Sequence, residues 1–173
     1  MPRSTVRQFT HILLASQVVI FCYLTFGSLE SPEKLKDLLP KELNKLKFET
    51  TLSSFLKKHP NAQLQENNGN FRHVYLEEID SKLISSVVYY FDADGSSPLY
   101  EIIVNFKDEA VMELQANILL GAPNYSGKDG NSKEWKFDIK EDYPLHCWTY
   151  RNKIIYVLPL LGTEWNENGS VDL

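Results

Sequence analysis

Disulfides have little part in this chain. It has two cysteines in 173 residues, Cys22 and Cys147. Cys22 sits in an apolar N-terminal run, and its removal with a leader would leave Cys147 alone. A lone thiol closes no internal loop, so the fold must rest on packing even in an oxidising compartment. A catalytic thiol needs a base beside it, and adjacent strand residues such as His146 and Cys147 point to opposite faces. Cys147 therefore reads as a small buried apolar group.

Positive charge is also short. Eighteen Lys and Arg stand against 23 Asp and Glu, a formal charge of -5. Nucleic-acid binding needs clustered cations to release counterions, so that class is excluded. The four histidines, His11, His59, His73 and His146, show no zinc-ligand spacing. No glycine-rich phosphate loop and no G-x-S-x-G elbow occurs. The stretch DADGSS, residues 92–97, starts like a calcium loop. It has Ser97 where glycine is required and Ile103 where the bidentate glutamate belongs. The sequence thus assigns no catalytic residue, no metal and no cofactor. Acidic pairs such as Glu77-Glu78 read as solvated charges at strand ends.

No apolar run reaches the roughly 20 residues that span a bilayer. The longest covers Ile12 to Phe26 and is interrupted by Gln17. It follows Arg3 and Arg7 and precedes a polar stretch, the order of a secretory signal. Thr25 and Gly27 are the small residues for a cut after 27, and such a cut takes the charge to -7. An uncleaved N-terminal anchor is the alternative. A bulky Phe21 before Cys22 argues against lipidation.

What remains is ordinary globular composition, 43% hydrophobic and 24% charged. Residues 28–47 read as a helical linker or packing helix. Leu35, Leu38, Leu39, Leu43 and Leu46 recur at helical spacing, and Pro40 breaks the run. A short helix with Leu52, Phe55 and Leu56 on one face ends at Pro60. Strands are expected at 71–79, 83–91 and 99–106, the last two joined around Asp94-Gly95. A capped helix over 108–121 buries Val111, Leu114, Leu119 and Ile118 and stops at Gly121. Strands at 134–139, 145–151 and 153–160 follow, with Trp135 packed against Ile118 or Leu119. The polar tail 164–173 should fray.

Helix, Pro-Asn, polar loop and three strands thus occur twice, over 48–106 and 108–161. Pro60-Asn61 matches Pro123-Asn124, and Val74 and Leu76 fall near Trp135 and Phe137. The expected fold is α+β, a degenerate tandem repeat of helix plus three-strand antiparallel meander, with helices on one face of a single domain, 48–163.

Leu120-Gly121, Pro123, a polar loop and then Trp135 and Phe137, with the hairpin over 89–102, resemble the helix-to-strand junction of small outer-membrane assembly lipoproteins of the BamE type. They also resemble the repeats of beta-lactamase-inhibitor-like proteins. That resemblance implies an envelope-located, non-catalytic binding scaffold and no particular partner.

A sheet covered on one side leaves its other side for solvent or a partner. His146, Trp148 and Tyr150 share one strand face and are the candidate interface, because Trp and Tyr often anchor binding. The reading is a secreted or periplasmic protein-binding scaffold, its partner an envelope component or a toxin, and its membrane contact confined to an uncleaved N-terminus. An immunity or inhibitor protein and an enzyme with a dispersed active site are the alternatives.

Overall fold

The computed structural model describes residues 35–68, 71–125, 133–139 and 143–166. All of them belong to one unit, Pro32–Leu173. The leader over 1–27 lies outside the described residues. Among the described residues, three short or medium helices and seven strands make an α+β fold. The helices are α1 (Leu35–Leu38), α2 (Leu52–Lys58) and α3 (Glu109–Leu120), with a 3-10 turn at Lys41–Leu43. The strands are β1 (Gln63–Asn68), β2 (Arg72–Glu78), β3 (Ile84–Asp92), β4 (Leu99–Phe106), β5 (Glu134–Phe137), β6 (Leu145–Tyr150) and β7 (Lys153–Val157). They form one antiparallel sheet in the order β1-β2-β3-β4-β7-β6-β5.

Local chemistry sets the helix ends. Thr51 caps α2 by accepting from the Ser54 amide, and Lys57 and Lys58 meet the negative end. Asp108 Oδ1 caps α3 by accepting from Val111 N at 2.8 Å. At its other end Gly121 adopts φ 72, ψ -154, a region essentially reserved for glycine. The Trp135 indole donates to the Gly121 carbonyl at 3.2 Å, so the helix stop and the first strand of the last meander are tied together.

The core lies on one face of the sheet. Leu38, Phe55, Met112, Ala116 and Leu120 from the helical segments join Tyr89, Ile102, Val104, Trp135, Cys147 and Tyr156 in a single buried cluster. The segment before α2 is part of this packing. Leu39, Leu43, Leu46 and Phe48 are buried, and the Tyr156 hydroxyl donates to the Leu38 carbonyl at 3.0 Å. Pro40 divides this segment into α1 and the 3-10 turn.

Four expectations are corrected. Strand β1 forms where the polar QLQENN sequence offers no strand pattern. In α3 the buried stripe is Met112, Ala116 and Leu120, while Leu114 and Ile118 are 59% and 64% exposed. Ile118 is therefore not a buried partner for Trp135, whereas Leu119, the other neighbour expected for it, is partly buried against the core cluster that contains Trp135. Val74 and Leu76 face away from the core, because Tyr75 and not its neighbours lies opposite the core residue Tyr89. A one-residue offset in a strand exchanges the two faces. Finally, β7 ends at Val157, before Pro159, and the chain then folds back. Glu164, Trp165 and Asn166, assigned to a frayed tail, are each held by hydrogen bonds.

Candidate functional site

The second face of the sheet reads as three rows across the strands. One row is Leu76, Val88, Ile103, Ile155 and Trp148. These residues alternate with core residues along their strands, and none of them belongs to the buried cluster that the helices join. Ile155 is buried; Leu76, Val88, Ile103 and Trp148 are half-exposed. Beside this apolar row runs a polar one of Glu78, Ser86, Asn105, Lys153 and Tyr150. On the other side runs Val74, Tyr90, Glu101, Val157, His146 and Lys136.

The three residues singled out in β6 lie on this face, and they differ in access. Tyr150 is 56% exposed, Trp148 is half-exposed and His146 is only 5% exposed. Burial and the neighbouring Lys136 ammonium pull the His146 imidazolium down to about 4. His146 is thus a neutral packing group beside the Tyr125 ring, and the accessible part of the trio is Trp148 and Tyr150. Cys147 points into the core, and burial raises its thiol well above the ordinary range.

Residues outside that trio complete the site. Where the chain returns after β7, Trp165 meets Trp148 edge to face at 5.4 Å between ring centres. Its Nε1 donates to Glu101 Oε2 at 2.9 Å. Next to it, Glu164 accepts from Arg72 Nη1 at 3.0 Å and from the Tyr100 hydroxyl at 3.0 Å. The Arg72 guanidinium lies 5.3 Å from the centre of the Tyr90 ring. Arg72, Tyr90, Glu101, Glu164 and Trp165 line an open cavity of about 350 Å³. Glu101 is 5% exposed, and desolvation pushes its carboxyl up to about 7; the Trp165 hydrogen bond opposes that rise and Glu164 adds to it. No sequence motif marks this cluster, since its members come from β2, β3, β4 and the chain after β7. The one signal was the hydrophobic-to-acidic break in LYEIIV, an acid in the middle of an apolar strand.

A second cavity, of about 360 Å³, lies on the helix side. Leu43, Leu46 and Phe55 form its apolar part, with Lys45, Lys47, Lys58 and His59 around it. His59 stacks on Phe55 at 4.3 Å, and its Nδ1 donates to Glu77 Oε2 at 2.8 Å. Among the described residues no group of three His, Cys, Asp or Glu is placed to hold a metal. No described helix is long and apolar enough to cross a membrane. No family model, curated protein or solved structure matches this chain.

Proposed function

We propose that this protein is an exported, secreted or periplasmic, non-catalytic scaffold that binds another protein through the second face of its sheet. The observation that carries the reading is the row Leu76, Val88, Ile103, Ile155 and Trp148, apolar and half-open beside a polar cavity. Contiguous apolar surface with a polar rim and accessible Trp and Tyr is the composition of an interface. Antiparallel sheets with one packed face usually turn polar residues outward, so an outward apolar row asks for a cover.

The same proposal takes the domain to be a duplicated unit of helix plus meander. Strands β2-β3-β4 and β5-β6-β7 follow α2 and α3 in the same order, and β4 and β7 meet at the middle of the sheet. After each helix the chain also runs beside the first meander strand. In one half it forms all of β1; in the other it makes a single bridge, Tyr125 with Glu134, with Asn124 bonded on both sides to Lys136. Duplication of this kind supports a scaffold role without naming a partner.

Glu101 favours a second reading, an enzyme. A carboxyl held near 7 is suited to proton transfer. The other carboxylate of the cavity, Glu164, is engaged by Arg72 and Tyr100, and the cavity is open to solvent. Binding is the stronger reading, because general acid chemistry needs a second available group and exclusion of water.

Site-specific photo-crosslinking tests the proposal. A benzophenone amino acid at Val88 should yield discrete adducts in the cell envelope, and the same group at exposed Leu114 on α3 should not. Equal adducts from both positions, or none from Val88, would refute the binding face.

A further inference from the structure

The two carboxylates of the open cavity are furnished differently. Glu164 has an aromatic hydroxyl donor, Tyr100, and a cation, Arg72. Glu101 has an aromatic N–H donor, Trp165, and feels the Arg72 guanidinium only as a neighbouring charge, with no ion pair to it among the described residues. Its Oε2 is taken by that indole, while its Oε1 has no hydrogen-bond partner among the described residues. No described side-chain oxygen or nitrogen is sealed in without a partner, so this oxygen opens onto the cavity that Glu101 lines. A carboxylate that is nine-tenths buried and half-satisfied is expensive unless something completes it. Two of the residues lining the cavity, Tyr90 and Trp165, are aromatic. Aromatic faces attract cations, as the position of Arg72 over Tyr90 already shows in this cavity.

We propose that the cavity is a subsite for a cationic side chain, lysine or arginine, of the protein partner, which pairs with Glu101 Oε1 beside Tyr90 and Trp165. This rests on the binding face proposed above, whose apolar row lies two residues along the same strands, on the same face. An anchor of this kind combines a hydrophobic stem on Trp165 with a charged head on Glu101. Arg72 stays with Glu164, and the partner's cation supplies for Glu101 what Arg72 supplies there.

Tryptophan fluorescence gives a direct test, since Trp148 and Trp165 stand at the site and Trp135 is in the core. At pH 8, N-acetyl-lysine methylamide and N-acetyl-arginine methylamide should change the emission with affinities on the order of millimolar. The norleucine analogue should not. Glu101→Gln should weaken the cations roughly 10- to 100-fold, the range of a charge-assisted hydrogen bond. No binding by either cation, or equal binding by Glu101→Gln, would overturn the subsite.

A second arm separates the subsite from the face. Displayed peptides are selected on the full chain and counter-selected on Val88→Glu. Face-dependent peptides rich in Lys or Arg and lost with Glu101→Gln support the subsite. Face-dependent peptides with no such enrichment, indifferent to Glu101→Gln, overturn the subsite and leave the binding face standing. Cation binding in the first arm with no face-dependent peptide supports a cation site and overturns its assignment to a protein partner.

Discussion

Replacing Glu101 by glutamine should make the protein more stable, and only above about pH 4.5. The carboxyl sits at about 7 in the fold against an ordinary 4.5. A raised acid keeps its proton in the folded state where the unfolded chain has released it. Its favourable contribution is therefore complete below 4.5 and is lost as pH rises through 7. At about 1.4 kcal/mol per unit, the ionised folded state is up to roughly 3 kcal/mol worse off at pH 8. Glutamine occupies the same volume, never ionises, and still offers an oxygen to the Trp165 indole. The charges that face this position are Arg72 from β2 and Glu164 from the returning chain, and both are present in either protein. Urea melts of the two proteins at pH 4, 6 and 8 should show a gap that is near zero at pH 4 and widens to as much as about 3 kcal/mol at pH 8, with an unchanged m-value. A gap of the same size at all three pH values would refute the desolvated-acid account. So would a variant less stable than the parent at pH 8.

Trp135→Ala should lower stability by about 3–5 kcal/mol in the same melts, because the indole fills the core and bonds the Gly121 carbonyl. Gly121→Val should cost about 1–3 kcal/mol through backbone strain at φ 72, although no atom crowds the new Cβ. A silent result at either position would detach the helix stop from the core. His146→Gln should flatten the loss of stability between pH 6.5 and 4, since a histidine pulled down to about 4 stabilises the fold above 6.5 and ceases to as pH falls through 4. An unchanged slope in pH-dependent melts would rule out His146 as the buried neutral group. On α3, Leu114→Gln with Ile118→Gln should stay within about 1 kcal/mol of the parent in urea melts, whereas Met112→Ala should cost roughly 2–5 kcal/mol. The reverse order would mean that the helix packs on its other side.

Six of the seven strands and all three helices could be read from residue patterns, for reasons visible in single elements. The hairpin of β3 and β4 combines β-branched and aromatic runs with Asp94-Gly95, and in the fold Gly95 takes φ 57. The end of α3 combines Gly121 with Pro123, and glycine is at positive φ there. The face of α3 was not legible, because leucine, isoleucine, valine, methionine and alanine surround it. With apolar residues on several sides, only the sheet decides which side is buried. Strand β1 was not legible either. Gln, Glu and Asn have little strand preference, and the segment extends because the edge of β2 supplies hydrogen bonds. Its polarity then serves an edge strand, where hydrophobic residues would invite pairing with another chain. Of the candidate site, β6 could be found because aromatics crowd it. Glu101 and the Glu164-Trp165 clamp could not, since the pairing that brings β4 to the returning chain is set by the whole sheet.

The two faces of the sheet follow different physical rules. On the helix side the buried cluster is aliphatic and aromatic, and the hydroxyls that reach it are hydrogen-bonded, Tyr156 to the buried Leu38 carbonyl and Tyr89 to Glu77. On the other side the chain buries an acid that is pushed up and a histidine that is pulled down, each a loss of stability over part of the pH range. It also leaves Trp148 and Tyr150 in contact with solvent. A sequence shaped for folding alone would have an aliphatic residue at position 101, flanked as it is by Val157 and Tyr90. Local choices that oppose stability gather here on one face, from Tyr90 and Glu101 to the neighbouring Trp148–Trp165 pair, and under the binding reading proposed above this is where a partner's cation and apolar stem would both be satisfied.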